Sequence, residues 1–595
     1  VQARRGQDFL HGKLVSLSMN DEAAPSHVSS RSATRLRAIS GIAMGLVLIA
    51  LSSGFLPSNA FAQAIDQVVS DQTAVIQRYS APRAPGTINI AVPELRRRVP
   101  LEKAAQVRFT LRSLTVAGAV TVPMAQLSPA WSDKIGATIS VADLYRIAEG
   151  IEAAYTSAGY FSMAVVADQD FSAGHIVITL YESYVRQVVI KSDLPGLEKR
   201  LAPYIDRIVA MRPIRIKEAE RVLLLMSDLA GLKIDGIFTK PQTPSAGGEL
   251  MLTVTFTRSS RVAILDNTGT SRMGPMQLAG SATVNDVFGL FDSTEFVGLT
   301  IPDTPRQLLF IQETQDIPIG HDGLHVGYRL GHISSRPGDD LKPLDVKVAA
   351  TFGNLYLNYP FLRTIDHSVF GRVELNFKNN EVDFGPVLRA RDSDRWVAAS
   401  LRYLTAYQGG SATVSATFGQ GLDVIGASSG LDAFISRQGV RSDYRFLRVD
   451  ADIGKEIVTD ITARLRIAAQ YAPDALPSAV QLNIGGDPFG LAFDTSAASG
   501  DSAMAANLEI SRNFVSPVAR VSDTQLFAFV DYGAIWNHNL SVAYVHETLG
   551  SAGIGVRGLV AEAVNAQLLV AVPWEDRLNL ADKGTRIFVK LIAPF

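Results

Sequence analysis

His321, Asp322 and His325 come nearer to metal chemistry than other residues of this chain: two imidazoles four positions apart, with a carboxylate between them, could hold a divalent ion on one face of a helix. Gly320, Gly323 and Gly327 interrupt that spacing and predict a polar turn between strands, where the two histidines share no face. Asp450 and Asp452 have the look of paired carboxylates, but they alternate in phase with Arg448 and therefore line a strand. The glycines from Gly550 to Gly558 form no phosphate-binding loop, because no Lys-Ser or Lys-Thr pair follows them. Cysteine is absent, which excludes disulfides, thiolate metal sites and cysteine nucleophiles. The formal charge of −2 over 595 residues, without a basic tract, gives no reason to expect a nucleic-acid partner. The sequence therefore predicts no enzyme, no metal and no cofactor.

The elements that carry these residues are more informative than the residues themselves. Arg372, Glu374, Asn376, Lys378 and Asn380 interleave with Val373, Leu375 and Phe377; Arg448, Asp450 and Asp452 interleave with Leu447, Val449, Ala451 and Ile453. Side chains along a strand point alternately to opposite faces, so many such segments in a row describe a sheet with one wet and one greasy face. A charged interior and an apolar exterior fit an all-β transmembrane barrel. Residues 261–595 leave room for about 16 antiparallel strands if each strand and its connection takes roughly 20 residues. The last segment places Ile587, Val589, Leu591, Ala593 and Phe595 on one face and Arg586 and Lys590 on the other, a closing strand with Phe595 as a candidate insertion signal.

The remainder divides into smaller pieces. Arg31, Arg35 and Arg37 precede the apolar run Ile39 to Leu51, Pro57 and the small-residue site Ala60-Phe61-Ala62, which predicts a leader and signal peptide over residues 1–62 cleaved before Gln63. The chain opens on Val1, and the residues before Met19 are set aside. Residues 63–80 are compatible with an amphipathic helix carrying Ile65, Val68, Val69, Thr73 and Ile76 near one face, and the Pro- and Arg-rich residues 81–106 read as a linker. Residues 107–184 and 185–258 follow as two α/β units in which the order β-α-α-β-β recurs. In the first, Ser140-Val141-Ala142-Asp143 starts a helix with a capping box.

This order resembles the two-partner secretion transporters, the hemolysin secretion and activation family, whose small modules are called POTRA domains. Tyr155-Thr156-Ser157-Ala158-Gly159-Tyr160 resembles that family's Y-x-x-x-G-Y helix end, Glu220 to Gly231 its E-R-x-L-L-L-x-x-D-x-x-G helix, and Asp266-Asn267-Thr268-Gly269 the D-N-x-G that opens its barrel. Phe529, Asp531 and Gly533 are similar to its F-x-D-x-G strand. Gly485, Gly486, Phe489, Gly490, Leu491, Ala492, Phe493 and Asp494, with the later Gly500-Asp501, are similar to its inward-folding loop. The family pattern there is G-G-x-x-F-G-R-G-Y-D, with an arginine that meets the strand aspartate. Leu491 replaces that arginine, so Asp531 is expected to turn to water or a neighbouring lumenal arginine.

The resemblance implies an outer-membrane pore of a Gram-negative bacterium with its POTRA modules in the periplasm. It implies recognition of a large, unfolded secreted exoprotein, an adhesin or hemolysin, at POTRA residues whose positions the sequence does not give. It implies further that export through the barrel proceeds without ATP, that the helix at 63–80 corresponds to a lumen plug, and that the barrel-assembly machinery inserts the protein into outer-membrane lipid. A barrel-assembly insertase is the alternative; two modules and a helix favour the exporter.

Overall fold

Alternating polarity becomes the two faces of one closed sheet. The computed structural model describes residues 58–79, 83–91, 100–239, 247–385, 388–428, 432, 435–437, 439–538, 545–576 and 584–595. The expected leader lies outside them up to residue 57. Sixteen antiparallel strands, from Ser259–Asp266 to Arg586–Pro594, form a closed barrel. The first pairs with the last from Val262↔Pro594 to Asp266↔Lys590, and the backbones of Arg261 and Phe595 exchange hydrogen bonds of 3.1 and 2.9 Å just beyond. Closure leaves no strand edge facing lipid, which is what a membrane-spanning sheet requires.

The phase of the alternation sets which face is which. In the seventh strand, His367–Phe384, Leu375 is 51% exposed on the outside while Lys378 is 3% exposed on the inside. Its register with the sixth strand, Val346–Arg363, puts Leu355 opposite Leu375 and Asn354 opposite Asn376, so apolar pairs face lipid and amides face the lumen. Among the described residues no helix is long and apolar enough to cross a membrane; the crossing is made by strands.

Two α/β units precede the barrel. The first contains the three-stranded sheet of Ser113–Ala117, His175–Glu182 and Ser162–Val166, covered by the helix Val141–Ser157. That helix starts at the capping box of Ser140 and Asp143 and buries Leu144, Ile147, Ile151 and Tyr155. The Tyr155 hydroxyl donates to Glu182 over 2.8 Å, and burial together with that carboxylate pushes its pKa up to about 12. The second unit packs Leu197–Val209 and Ile216–Ser227 against Tyr184–Ser192, Gly247–Phe256 and Leu232–Thr239. The second helix stops at Ser227, and the strand Leu232–Thr239, which the recurring β-α-α-β-β order requires, was not placed on particular residues by the sequence. Nor was a further strand: part of the expected linker, Ile88–Ala91, lies parallel on Leu232–Thr239 and brings that sheet to four strands.

Candidate functional site: the barrel lumen

Two pieces of the chain occupy the lumen. The helix Ser58–Arg78, which starts five residues before the expected cleavage site, is buried around most of its circumference from Val68 to Val75 and becomes exposed at Gln77 and Arg78. Val68 and Val69 pack on Val346, Val348, Val382 and Phe384 near the extracellular ends of their strands, and Val75 packs among Leu299, Leu308 and Phe310. Between these apolar contacts the lumen's polar lining binds the helix. Lys378 Nζ donates to Thr73 Oγ1 over 2.6 Å, Gln72 Nε2 to Ser335 Oγ over 3.1 Å, and Arg78 to Asp266 over 2.9 Å and Gln277 over 3.2 Å. Gln312 donates to the Tyr79 carbonyl at the end of the helix.

The second piece is the segment between the eleventh strand, Ile461–Tyr471, and the twelfth, Ser502–Phe514. It folds inward as the hairpin Leu482–Ile484 with Ala498–Gly500. Gly485 at φ +110° leaves 2.2 Å between a hypothetical Cβ and the Asp494 carbonyl, so both conformation and space demand glycine there. Gly486 and Gly490 also have positive φ, and their backbones are bonded to each other. Ala492 and Phe493 are buried, and with Phe489 and Leu491 they pack against Phe527, Phe529 and Ile535 of the thirteenth strand, Val521–Trp536. Gly533 gives Ile484 room, since a Cβ there would lie 3.1 Å from its Cδ1.

Asp531 is 1% exposed and meets the tip of this loop. Its partners differ from those expected. Its carboxylate accepts the Leu491 N–H at 3.2 Å and the N–H and hydroxyl of Ser551 at 3.0 and 2.6 Å. A backbone donor and a serine of the neighbouring strand do the work expected of water or an arginine, so leucine at 491 removes a side-chain donor without leaving the buried carboxylate unsatisfied. The loop's charges reach the wall elsewhere: Asp494 pairs with Arg586 at 2.8 Å, and Asp487 lies 3.4 Å from Arg466.

The extracellular end holds a contact that sequence reasoning missed. Asp501, fully buried, accepts Arg437 Nη1 at 2.7 Å, the N–H groups of Leu476 and His538 at 3.0 and 2.9 Å, and the Gln481 amide at 3.0 Å. Three extracellular segments are thereby tied together.

The remaining lumen is wet and charged. One cavity of about 380 Å³ is lined by Thr73, Arg329, Arg372, Lys378, Arg402 and Arg448, and a second of about 340 Å³ opens beside Arg83, Asp228, Glu295 and Asp316. Asp450 and Asp452 each carry an arginine, Arg448 at 2.9 Å and Arg464 at 2.5 Å. His321 and Asp322 sit in the periplasmic turn between the fourth and fifth strands, with the Tyr204 ring and Arg207 of the second unit against them. His325 is bonded to Asp316 at 2.6 Å.

The second unit grips the barrel through three periplasmic turns. Arg200 binds Asp286 bidentately at 2.7 and 2.8 Å and holds its carboxyl below the usual carboxylate range. Arg207 binds Asp322, and Arg363, 4% exposed, binds both oxygens of Asp228.

A closed barrel with a polar lumen, filled by its own helix and loop and joined to strand-edged periplasmic modules, defines a POTRA-type outer-membrane transporter. The chain belongs to the haemolysin secretion/activation protein ShlB/FhaC/HecB family, whose model matches residues 252–558, and a ShlB-type POTRA domain matches residues 109–183. The outer membrane transporter CdiB of Escherichia coli is 23% identical over 506 residues, covering 78% of this chain and 79% of its own. The solved structure of CdiB from Escherichia coli matches with a TM-score of 0.66 at 19% identity, over 90% of this chain and 99% of that one. BamA from Haemophilus ducreyi lacking POTRA domains 1–3 matches with a TM-score of 0.51 at 11% identity, over 82% of this chain and 100% of that one. These structural likenesses establish the fold.

Proposed function

We infer that this chain is the outer-membrane translocation pore of a two-partner secretion system and that it exports a large secreted exoprotein through its barrel. The observation that carries this reading is the lumen: a polar bore filled by a tethered helix held by three buried valines and by hydrogen bonds that water can replace. The helix is the plug of the closed state. The inward loop, with its tip on Asp531, braces the wall beside it. Exposed strand edges of the two α/β units take up extended client segments, gaining backbone hydrogen bonds with little demand on sequence. The client crosses without ATP. Residues 1–62 carry the leader, and the barrel-assembly machinery inserts the barrel into outer-membrane lipid, reading the closing strand that ends at Phe595.

The test is a deletion strain in which large secreted proteins and unrelated outer-membrane barrels are quantified together. Loss of one secreted protein with normal barrels is the expected result. A general fall in folded barrels would make the chain an insertase and overturn the reading.

A further inference from the structure

The second unit's own sheet ends on Leu232–Thr239, a strand of eight residues. An edge of this kind is a template for any extended chain. Here it is occupied by the chain's own Ile88–Ala91, in parallel register from Ile88↔Ile234 to Ala91↔Ile237. Only half of the edge is covered. Ile88 packs against the unit's core, where Ile234 is buried, while Asn89 and its register partner Asp235 are both exposed.

Two residues upstream, Gly86 is clamped between the unit and the barrel. Its N–H donates to Asp228 Oδ1 at 2.7 Å, its carbonyl accepts from Arg363, and Arg363 binds Asp228 in turn. A Cβ at Gly86 would lie 2.1 Å from the Ser227 carbonyl, so only glycine passes this point. The same stretch of chain leads directly to the lumen helix. Seven peptide steps separate Tyr79 from Gly86, a reach of at most about 24 Å, no more than the roughly 24 Å of helix left from Gln63 to Arg78 once residues 1–62 are removed. While the clamp holds, the helix can clear the barrel mouth only with the tether stretched to its full length away from the barrel. Freeing the strand as far as Leu101 extends the tether to about 75 Å.

We propose that the Leu232–Thr239 edge is the capture site for an extended segment of the exported protein, and that Ile88–Ala91 is a resident stand-in whose displacement by strand exchange releases the lumen helix. The inference rests on the export reading above. The segment that fits is an extended peptide running parallel to the edge, with an apolar side chain in the place of Ile88. A longer strand wins the exchange because it can pair along the whole edge, whereas the stand-in pairs with four residues of it. Capture and opening are then a single event: without a client the pore stays closed, and no second signal is needed.

The chain has no cysteine, so Asn89→Cys with Asp235→Cys introduces a single pair, on register partners of adjacent strands close enough to bridge. The double variant is expressed as the full chain, and insertion is verified by heat-modifiable mobility. Secretion of the protein lost in the deletion strain is then measured under oxidising conditions and after dithiothreitol. Secretion should fall by at least about tenfold when the bridge is closed, recover on reduction, and be unchanged in either single variant. Wild-type secretion from the bridged form would overturn the proposal while leaving the export reading intact. A deletion strain that secretes normally would instead remove the export reading itself. Independently, Ile88→Asp in planar bilayers without client should raise the fraction of time the channel is open, and a wild-type open fraction would overturn the coupling.

Discussion

Replacing Arg437 with methionine removes the cationic partner of the buried Asp501 carboxylate and keeps most of the side-chain volume. Breaking a buried ion pair from one side costs about 3–5 kcal/mol, because the surviving charge stays out of water. Asp501 retains three N–H donors, from Leu476, His538 and Gln481, which places the cost at the lower end, about 3 kcal/mol. That corresponds to roughly a 150-fold rise in the population in which the extracellular segments have parted. The assay uses the absence of native cysteine: Ala472→Cys, at a fully buried position beside this cluster, is labelled on intact cells with a membrane-impermeant maleimide. If closing outpaces labelling, the rate reports the open population and rises by the same factor of about 150 in Arg437→Met. Adding Asp501→Asn, which removes the stranded charge, should bring the rate back toward the parent. Equal labelling with and without Arg437, or no rescue by Asp501→Asn, would refute the reasoning.

Lys378→Met removes the ammonium that holds Thr73 and should weaken the helix in the lumen by about 1.5–3 kcal/mol, seen as a higher open fraction in bilayer recordings; an unchanged open fraction would mean that this bond does not hold the closed state. Asp286 gives a pH signature. Its carboxyl is held below the ordinary range chiefly by its hydrogen bonds with Arg200, so its stabilisation is present above the unfolded value of about 3.9 and disappears as pH falls through the native value. Wild type should melt at a higher temperature than Asp286→Asn near neutrality, with the gap closing under acid below about pH 3.9; a gap that persists unchanged into strong acid would contradict this.

The barrel was legible because its signal is written locally and many times over. Each strand carries its own alternation, and Arg372 to Asn380 declares its lumen face without reference to any neighbour. The strand Ile88–Ala91 has no such voice: four residues in a proline-rich stretch acquire a strand identity only from pairing with residues about 150 positions later. Leu232–Thr239 was implied by the recurring order but not located, for a related reason: it follows a helix motif directly and its alternation is short. In the loop, the glycines and Asp531 were readable as positions, but the donors to Asp531 were not. Ser551 lies on the next strand and the Leu491 donor is backbone, which side-chain identity does not announce. Arg437 and Asp501 stand 64 residues apart in segments without periodicity, and only the fold brings them together.

The composition of the lumen helix has a consequence for what happens after it leaves. Ser70, Asp71, Gln72, Thr73 and Gln77 are distributed around a cylinder whose apolar residues Val68, Val69 and Val75 pack against the barrel strands and the connections between them. The helix that remains after residues 1–62 are removed, Gln63 to Arg78, is rich in β-branched and polar side chains and in isolation at best marginal in water. On the proposed release it would melt, gaining chain entropy that favours staying out and losing the shape that fits the bore. Closing the pore again is therefore a small folding reaction, with the barrel wall as its template. The rate of resealing then follows helix–coil propensity as well as the contacts of the closed state, and an alanine-rich version of the helix should reseal faster even where no lumen contact has been improved.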